Sequence, residues 1–157
     1  MNKLLNILFI LLFLSALPVL ADPVPRFVSL KSSEVNVRTG PGERFPIDWV
    51  YQEKNYPVEI IDEFEFWRQI REYDGTVGWV HRMMLSSNRY GLILEDCKLY
   101  TKPTETSKIV GLIQKNVLGR IVRCPKQSDF CLVDFQTVKG WMHKDYLWGL
   151  YPNEVID

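Results

Sequence analysis

The sequence has no surplus of charge of either sign and contains few histidines and cysteines. Its 157 residues include 19 basic and 19 acidic side chains, and no run of like charges occurs. Binding to nucleic acid depends on a basic surplus that displaces counterions from the phosphates, so this composition argues against a nucleic-acid partner. Two histidines and three cysteines provide few ligands for a zinc site. We therefore predict no metal and no cofactor.

The only long apolar stretch lies at the N-terminus. Lys3 precedes a run from Leu4 to Leu14 that is apolar except for Asn6, and Ala21 supplies the small residue of a cleavage site. This pattern predicts a secretory signal peptide cleaved after Ala21. A membrane-spanning helix needs about 20 apolar residues, so a retained membrane anchor is the less favoured alternative. We expect export to the periplasm or cell envelope, with no stable membrane insertion after cleavage.

The rest of the chain contains an internal repeat. The segment GWVHRMML at 78–85 matches GWMHKDYL at 140–147, and VNVRTGP at 35–41 matches CKLYTKP at 97–103, both at a spacing of 62 residues. A repeat in the same order and at one spacing predicts two copies of one structural unit. Units of about 60 residues are marginal alone, so we expect the two copies to pack together.

Each copy has the sequence pattern of a small β-domain. Short β-branched runs alternate with turn residues, and Asp74-Gly75 is a strong hairpin signal. About five short strands per copy predict a barrel or sandwich. The expected boundaries are a signal peptide at 1–21, a first domain at 22–86, a linker at 87–91, a second domain at 92–152 and a tail at 153–157.

Several motifs resemble the bacterial SH3-like domains of exported proteins. They are VNVRTGPG at 35–42, GWV at 78–80, the cysteine-containing pattern RC…FC…GW at 123–141, and LWG at 147–149. The resemblance implies an all-β chain with two tandem small SH3-like five-stranded barrels after a cleaved signal peptide. It also implies a short 3₁₀ turn before the last strand, and binding of cell-wall polymer or protein partners.

The cysteines have different expected roles. Cys124 and Cys131 flank a six-residue connection between two predicted strands. Residues directly opposed across an antiparallel pair lie about 4.5–5.5 Å apart, which suits a disulfide in an oxidising compartment. Cys97 occupies the position of Val35 in the repeat, which predicts a buried, inert thiol. A catalytic Cys97 would need a histidine base within hydrogen-bond reach.

Other catalytic patterns are weak, and we predict that the protein is not an enzyme and has no catalytic residues. The two histidines, His81 and His143, occupy equivalent positions in the repeat, which indicates a structural role. The acidic stretch from Asp62 to Glu65 could place two carboxylates for glycoside hydrolysis, but a solvated loop tip is the favoured interpretation. Glycine-rich phosphate loops and serine nucleophile motifs are missing from the sequence.

Aromatic residues are the candidates for ligand binding. Phe45 and Trp49 lie near a proline-rich loop and are expected to be exposed. Comparison with the groove of eukaryotic SH3 domains places Trp67, Phe130 and Tyr146 at groove positions. An exposed aromatic patch indicates a binding surface, whereas burial between the two barrels is the alternative. Trp79 and Trp141 are expected inside the barrels.

The resulting prediction is a non-catalytic exported binding module. Its expected ligand is peptidoglycan or another cell-envelope polymer. The alternative is a structural adaptor that engages an envelope protein. A cleft with several polar anchors would favour the polymer, and an aromatic patch with few of them would favour a protein partner.

Overall fold

The computed structural model describes residues 22–157, so the predicted signal peptide lies outside the described residues. The first seven strands are β1 (Arg26–Leu30), β2 (Val35–Arg38), β3 (Ile47–Tyr51), β4 (Pro57–Phe64), β5 (Trp67–Arg71), β6 (Val77–His81) and β7 (Leu85–Ser86). The next seven are β8 (Tyr90–Ile93), β9 (Cys97–Tyr100), β10 (Ile109–Ile113), β11 (Leu118–Arg123), β12 (Phe130–Asp134), β13 (Lys139–His143) and β14 (Leu147–Trp148). Two 3₁₀ turns, Arg82–Met84 and Lys144–Tyr146, precede β7 and β14.

The strands form two antiparallel sheets with the same order of strands. The first sheet runs β3-β2-β6-β5-β4-β1-β7, and the second runs β10-β9-β13-β12-β11-β8-β14. The prediction of an all-β chain with two small β-domains is confirmed. Each sheet has seven strands rather than five. The number is higher because β1 precedes the first repeated motif, and the two-residue β7 returns to pair with it.

Buried and exposed side chains alternate along the strands, and the buried ones form one core in each unit. In β2, Val35 and Val37 are buried and Asn36 is exposed, as expected for a strand with one solvated face. The first core comprises Leu30, Val35, Val37, Tyr51, Val58, Ile60, Ile70 and Val80. The second comprises Ile93, Cys97, Leu99, Ile113, Ile121, Cys124, Cys131, Val133, Met142 and Leu147.

The prediction that Trp79 and Trp141 pack inside is wrong. In β6 the buried residues are Gly78 and Val80, and Trp79 between them is only half-buried. Trp141 has the same position in β13. Successive side chains of a strand point to opposite faces, so these tryptophans lie on the outer face. The inward position is occupied by Gly78, where a Cβ would collide with the Val37 side chain and with the Trp49 ring.

The disulfide predicted between Cys124 and Cys131 is present. The two Cα atoms are 4.4 Å apart, and both residues are buried. Arg123, the last residue of β11, lies opposite Leu132, so the continuation of this register places Cys124 opposite Cys131, as predicted. The Cys124 backbone also pairs with Ile156, by a bond of 2.7 Å from the Cys124 N–H and one of 3.1 Å to the Cys124 carbonyl. The expected tail at 153–157 is therefore attached to the second unit.

Removing this disulfide is expected to lower the free energy of unfolding by about 2–2.5 kcal/mol, because the cross-link restricts the unfolded chain. The double substitution Cys124→Ala and Cys131→Ala should shift the midpoint of urea unfolding accordingly. Reduction of the wild-type protein should produce a similar shift, since Cys97 is already a free thiol. An unchanged midpoint in both experiments would contradict a stabilising role.

The two units contact each other through the segment that follows β13. The Trp148 ring lies edge-on to Phe27 of β1, with centroids 4.9 Å apart, and Tyr151 packs against the same Phe27 at 4.8 Å. The Tyr151 hydroxyl donates a hydrogen bond of 2.6 Å to the buried carboxylate of Glu59. Burial and this hydrogen bond raise the pKa of Tyr151. Aromatic packing and a buried polar contact therefore join the second unit to the first.

Arg89 forms a second connection at this junction. Its guanidinium pairs with Glu154, donates a hydrogen bond of 2.6 Å to the Gly149 carbonyl, and lies 5.9 Å from the Phe27 ring centroid. The strand β8 begins at Tyr90, within the stretch expected to be a linker. Its pairing with β11 leaves no extended linker between the units.

Candidate functional site

A groove on the first unit lies between β2, β5 and the first 3₁₀ turn. Its volume is about 300 Å³. The lining side chains are mostly polar, with one indole and one thioether, and comprise Glu34, Asn36, Arg38, Glu43, Trp67, His81 and Met84. We call it the first groove.

A second groove, of about 250 Å³, lies on the second unit. It is lined by Asp96, Cys97, Lys98, Tyr100, Glu105, His143 and Tyr146. Six of these residues follow a lining residue of the first groove by 62 positions. The structure thus places two equivalent grooves at the same position on two sheets with the same strand order.

Aromatic and imidazole rings form one wall of each groove. The Trp67 ring lies edge-on to His81, with centroids 5.4 Å apart. Phe130, opposite His143 in the register of β12 and β13, has the same relation to that imidazole at 5.5 Å. Phe130 also packs against Tyr100 at 6.2 Å. Since β-strand pairs hold each aromatic beside its histidine, the wall is fixed by the backbone.

The two histidines have the same bonding role. His81 Nδ1 accepts a hydrogen bond of 3.3 Å from the Met83 N–H, and His143 Nδ1 accepts one of 3.3 Å from the Asp145 N–H. Each bond caps the 3₁₀ turn that begins at the next residue. In the neutral imidazole, an accepting Nδ1 places the proton on Nε2. Each histidine therefore caps a turn and keeps Nε2–H as a donor.

Both grooves combine positive and negative side chains. In the first groove, the Arg38 guanidinium is held by the carbonyls of Glu43 and Phe45, at 3.2 and 2.8 Å, and it accompanies the carboxylates of Glu34 and Glu43. In the second, Lys98 accompanies Asp96 and Glu105. A groove with both charges and an aromatic wall suits a ligand that carries amide, amino and carboxyl groups beside apolar surface.

Three of the predicted ligand-binding residues lie at the grooves. Trp67 and Tyr146 are among the lining residues, and Phe130 packs against two lining rings of the second groove. Phe45 and Trp49 are not lining residues. Phe45 is half-buried over Gly40 and contributes only its carbonyl, which holds Arg38. Trp49 packs against the first core, because Gly78 leaves space for its ring.

The polar residues of the grooves are not among the residues predicted to bind a ligand. Asn36 and Arg38 are the outward residues of β2, and Lys98 and Tyr100 are their counterparts in β9. The sequence does contain a signal for these polar residues, because alternate residues of the repeated strand point outward and lie on the same face in both copies. The alternation of a strand does not show that these polar residues face the groove, since that requires the 3₁₀ turn to lie beside their face of the sheet.

The two groups considered as catalytic alternatives, the acidic stretch and Cys97, are engaged in ion pairs or buried. Glu63 lies in β4 rather than at a loop tip, and it pairs with Arg26 at 2.5 Å and Arg68 at 3.0 Å. Cys97 is only 7% exposed, and burial, with a contribution from Asp96, raises the pKa of its thiol to about 11. Within residues 22–157, no cluster of three or more histidine, cysteine or acidic side chains is arranged to hold a metal ion.

Comparison with known proteins identifies a family for the first unit. Residues 31–87 match the family described as bacterial SH3 domain. Two solved structures from Trichomonas vaginalis resemble the chain: NlpC2, at 13% identity and a TM-score of 0.37, and NlpC1, at 15% identity and a TM-score of 0.36. The similarity to NlpC2 covers 82% of this chain and 49% of NlpC2, and the similarity to NlpC1 covers 81% of this chain and 46% of NlpC1. This chain therefore spans about half the length of each. No curated protein matches the chain.

Proposed function

Because residues 31–87 are a bacterial SH3 domain, we propose that this chain is a non-catalytic exported binding module for peptidoglycan or another cell-envelope polymer. The observation that carries the proposal is the pair of equivalent grooves, in which an aromatic–histidine wall faces carboxylates and a cation. Polar anchors in a cleft are the feature that favours a glycan-peptide polymer over a flat protein surface.

Two similar grooves on one chain also suit a ligand with a repeating structure. When one groove has bound, the second meets the next repeat at a high effective concentration. The overall affinity then exceeds that of either groove without any new contact. The contacts of Trp148 and Tyr151 with Phe27, which join the two units, support this arrangement.

A binding function without catalysis fits the surroundings of the Cys97 thiol and the Glu63 carboxylate. The Cys97 thiol is buried, with a pKa raised to about 11, so little thiolate forms at neutral pH. The Glu63 carboxylate is engaged by two arginines. Neither group is suited to act as a nucleophile or a general acid, and we propose that the protein has no catalytic activity.

The disulfide and the SH3 domain are consistent with an exported protein. In residues 22–157, none of the helical segments has the length and apolarity to cross a bilayer. We propose the periplasm or cell envelope as the compartment, with the N-terminal segment as a cleaved signal peptide. We propose no nucleic-acid partner, because the chain has no surplus of basic side chains.

The test is co-sedimentation of the purified protein with cell-wall sacculi across a salt series. We expect saturable, salt-tolerant pelleting. Trp67→Ala and Phe130→Ala should each weaken binding about tenfold or more, because truncating a central aromatic residue of an interface often costs this much. The double variant should lose binding, because each groove then lacks the aromatic ring that packs edge-on against its histidine.

Phe64→Ala is the matched control, since this ring is 51% exposed and lines neither groove. It should bind as the wild type does. Circular dichroism of each variant separates lost binding from lost structure. If folded wild-type protein does not pellet, or if the double variant pellets like the wild type, polymer binding by the grooves is excluded.

A structural adaptor for an envelope protein is the second candidate. The observation that favours it is the edge strand β10, on which Leu112 is 75% exposed, Ile109 45% and Val110 40%. An edge strand with exposed apolar side chains can accept a strand from another protein. Absence of pelleting combined with loss of partner binding in Leu112→Lys would favour this function.

A further inference from the structure

A third cavity, separate from the two grooves, lies beside β1 and β7. Its volume is about 500 Å³. Four arginines and two serines contribute to its lining, namely Arg26, Arg68, Arg82, Arg89, Ser86 and Ser87. The chain as a whole has equal numbers of basic and acidic side chains, so this grouping of arginines is a local feature. We call it the arginine cavity.

The carboxylates that pair with these arginines do not line the cavity. Glu63 pairs with both Arg26 and Arg68, and Glu154 pairs with Arg89, but neither glutamate is a lining residue. Asp22 is the one acidic residue of the lining. The ion pairs therefore fix three guanidinium groups, and the four arginines exceed the carboxylates of Asp22, Glu63 and Glu154 by one positive charge.

Several guanidinium donors have no acceptor. Arg82 lies over the Phe66 ring at 4.9 Å, and its side chain forms no hydrogen bond or ion pair within residues 22–157. Arg68 uses Nε and Nη1, which leaves Nη2. The Nε of Arg89 is buried and has no partner among the described residues. The buried, unpaired Nε of Arg89 is costly, whereas the free donors of the exposed Arg82 are accessible to a ligand.

The serine hydroxyls add donors of a second kind. Ser86 Oγ accepts a hydrogen bond of 3.2 Å from the Asn88 N–H, so its own O–H can donate. Ser87 is exposed at the same rim. The cavity thus presents guanidinium and hydroxyl donors from several directions.

We propose that the arginine cavity binds a phosphate group. A phosphate presents three or four acceptor oxygens in a tetrahedral arrangement, so guanidinium groups from separate elements can each reach a different oxygen. A carboxylate presents two oxygens in one plane and would leave donors unfilled. The site is distinct from the two grooves, and the proposal does not depend on the polymer bound there.

The test is calorimetric titration of the purified protein with inorganic phosphate at constant ionic strength, with acetate as the comparison anion. We expect saturable binding of phosphate and at least tenfold weaker binding of acetate. Arg82→Gln should weaken phosphate binding about tenfold or more, the usual size of a lost hydrogen bond to a charged group. Arg82 is exposed, so this variant should fold.

Arg123→Gln is the matched control, because it removes the same charge from an exposed arginine outside the cavity. It should bind phosphate like the wild type. Equal losses in the two variants, or the absence of saturable binding, would overturn the proposal. Vesicles of neutral phospholipid with and without an anionic phospholipid identify the source: binding to anionic vesicles that Arg82→Gln abolishes indicates a lipid headgroup, and phosphate binding without vesicle binding indicates a soluble phosphate.

Discussion

Gly149→Ala is expected to lower the free energy of unfolding by about 3 kcal/mol or more, from backbone strain together with overpacking. Gly149 has a φ of +118°, a conformation that residues with a Cβ rarely adopt. A Cβ at this position would also lie well within 3.0 Å of the Tyr90 carbonyl oxygen and 3.2 Å from Pro57 Cβ. The obstructing oxygen belongs to the backbone of β8, so no side-chain rotation relieves the contact.

Gly75→Ala is the matched control for the cost of placing a residue with a Cβ at a positive φ. Gly75 also has a positive φ, +89°, but a Cβ there would meet nothing within 4 Å. We expect a loss of only about 1–2 kcal/mol, the cost of the left-handed backbone alone. Urea unfolding of both variants measures the difference. Equal losses would show that the close approach between Gly149 and Tyr90 does not constrain the protein.

Phe27→Ala is expected to cost about 3–5 kcal/mol, the usual range for a buried phenylalanine. Phe27 is 5% exposed, and although it belongs to the first unit, its ring neighbours lie in β14 of the second unit and in the segment after β14. The rings of Trp148 and Tyr151 lie within 5 Å of its centroid, and the Arg89 guanidinium lies 5.9 Å away. Truncation therefore removes packing between the two units rather than within one core.

The predicted signature is a change in cooperativity as well as in stability. If Phe27 couples the units, the wild type should unfold in one transition, and the Phe27→Ala variant should unfold at lower urea with two separable transitions. Phe64→Ala removes the same ring from a position that is 51% exposed, and it should change stability by less than about 0.5 kcal/mol. A single, unshifted transition in Phe27→Ala would show that the junction contributes little.

Local sequence signals predicted the elements of each unit well. The Asp74-Gly75 turn forms as expected: Gly75 adopts a positive φ, and the Asp74 carboxylate accepts a hydrogen bond of 2.9 Å from the Thr76 N–H. Burial of Cys97 at the position equivalent to Val35 was also predicted, because the repeat aligns the two residues. Such features depend on residues close in sequence or on the comparison of one copy with the other.

The sites were predicted less completely. Trp67, Phe130 and Tyr146 were identified through the resemblance, whereas Phe45 and Trp49 were placed on a surface that they do not form. The number of aromatic residues does not specify which rings are exposed. Trp49 packs inward because Gly78, two strands away in the same sheet, lacks a side chain that would fill the space. This is a property of strand register, which a local pattern does not encode.

The sequence by itself determined the class of fold and the disulfide, because alternation, turn residues and cysteine spacing act over a few residues. It determined the two units through the repeat at a spacing of 62 residues. Only the tertiary structure decided where the grooves lie, how the units join and which arginines meet. The chain has no basic run, and Arg26 and Arg89 lie 63 positions apart, yet both line one cavity with Arg68 and Arg82. They converge because antiparallel pairing of β1 with β4 and β7 brings distant segments together.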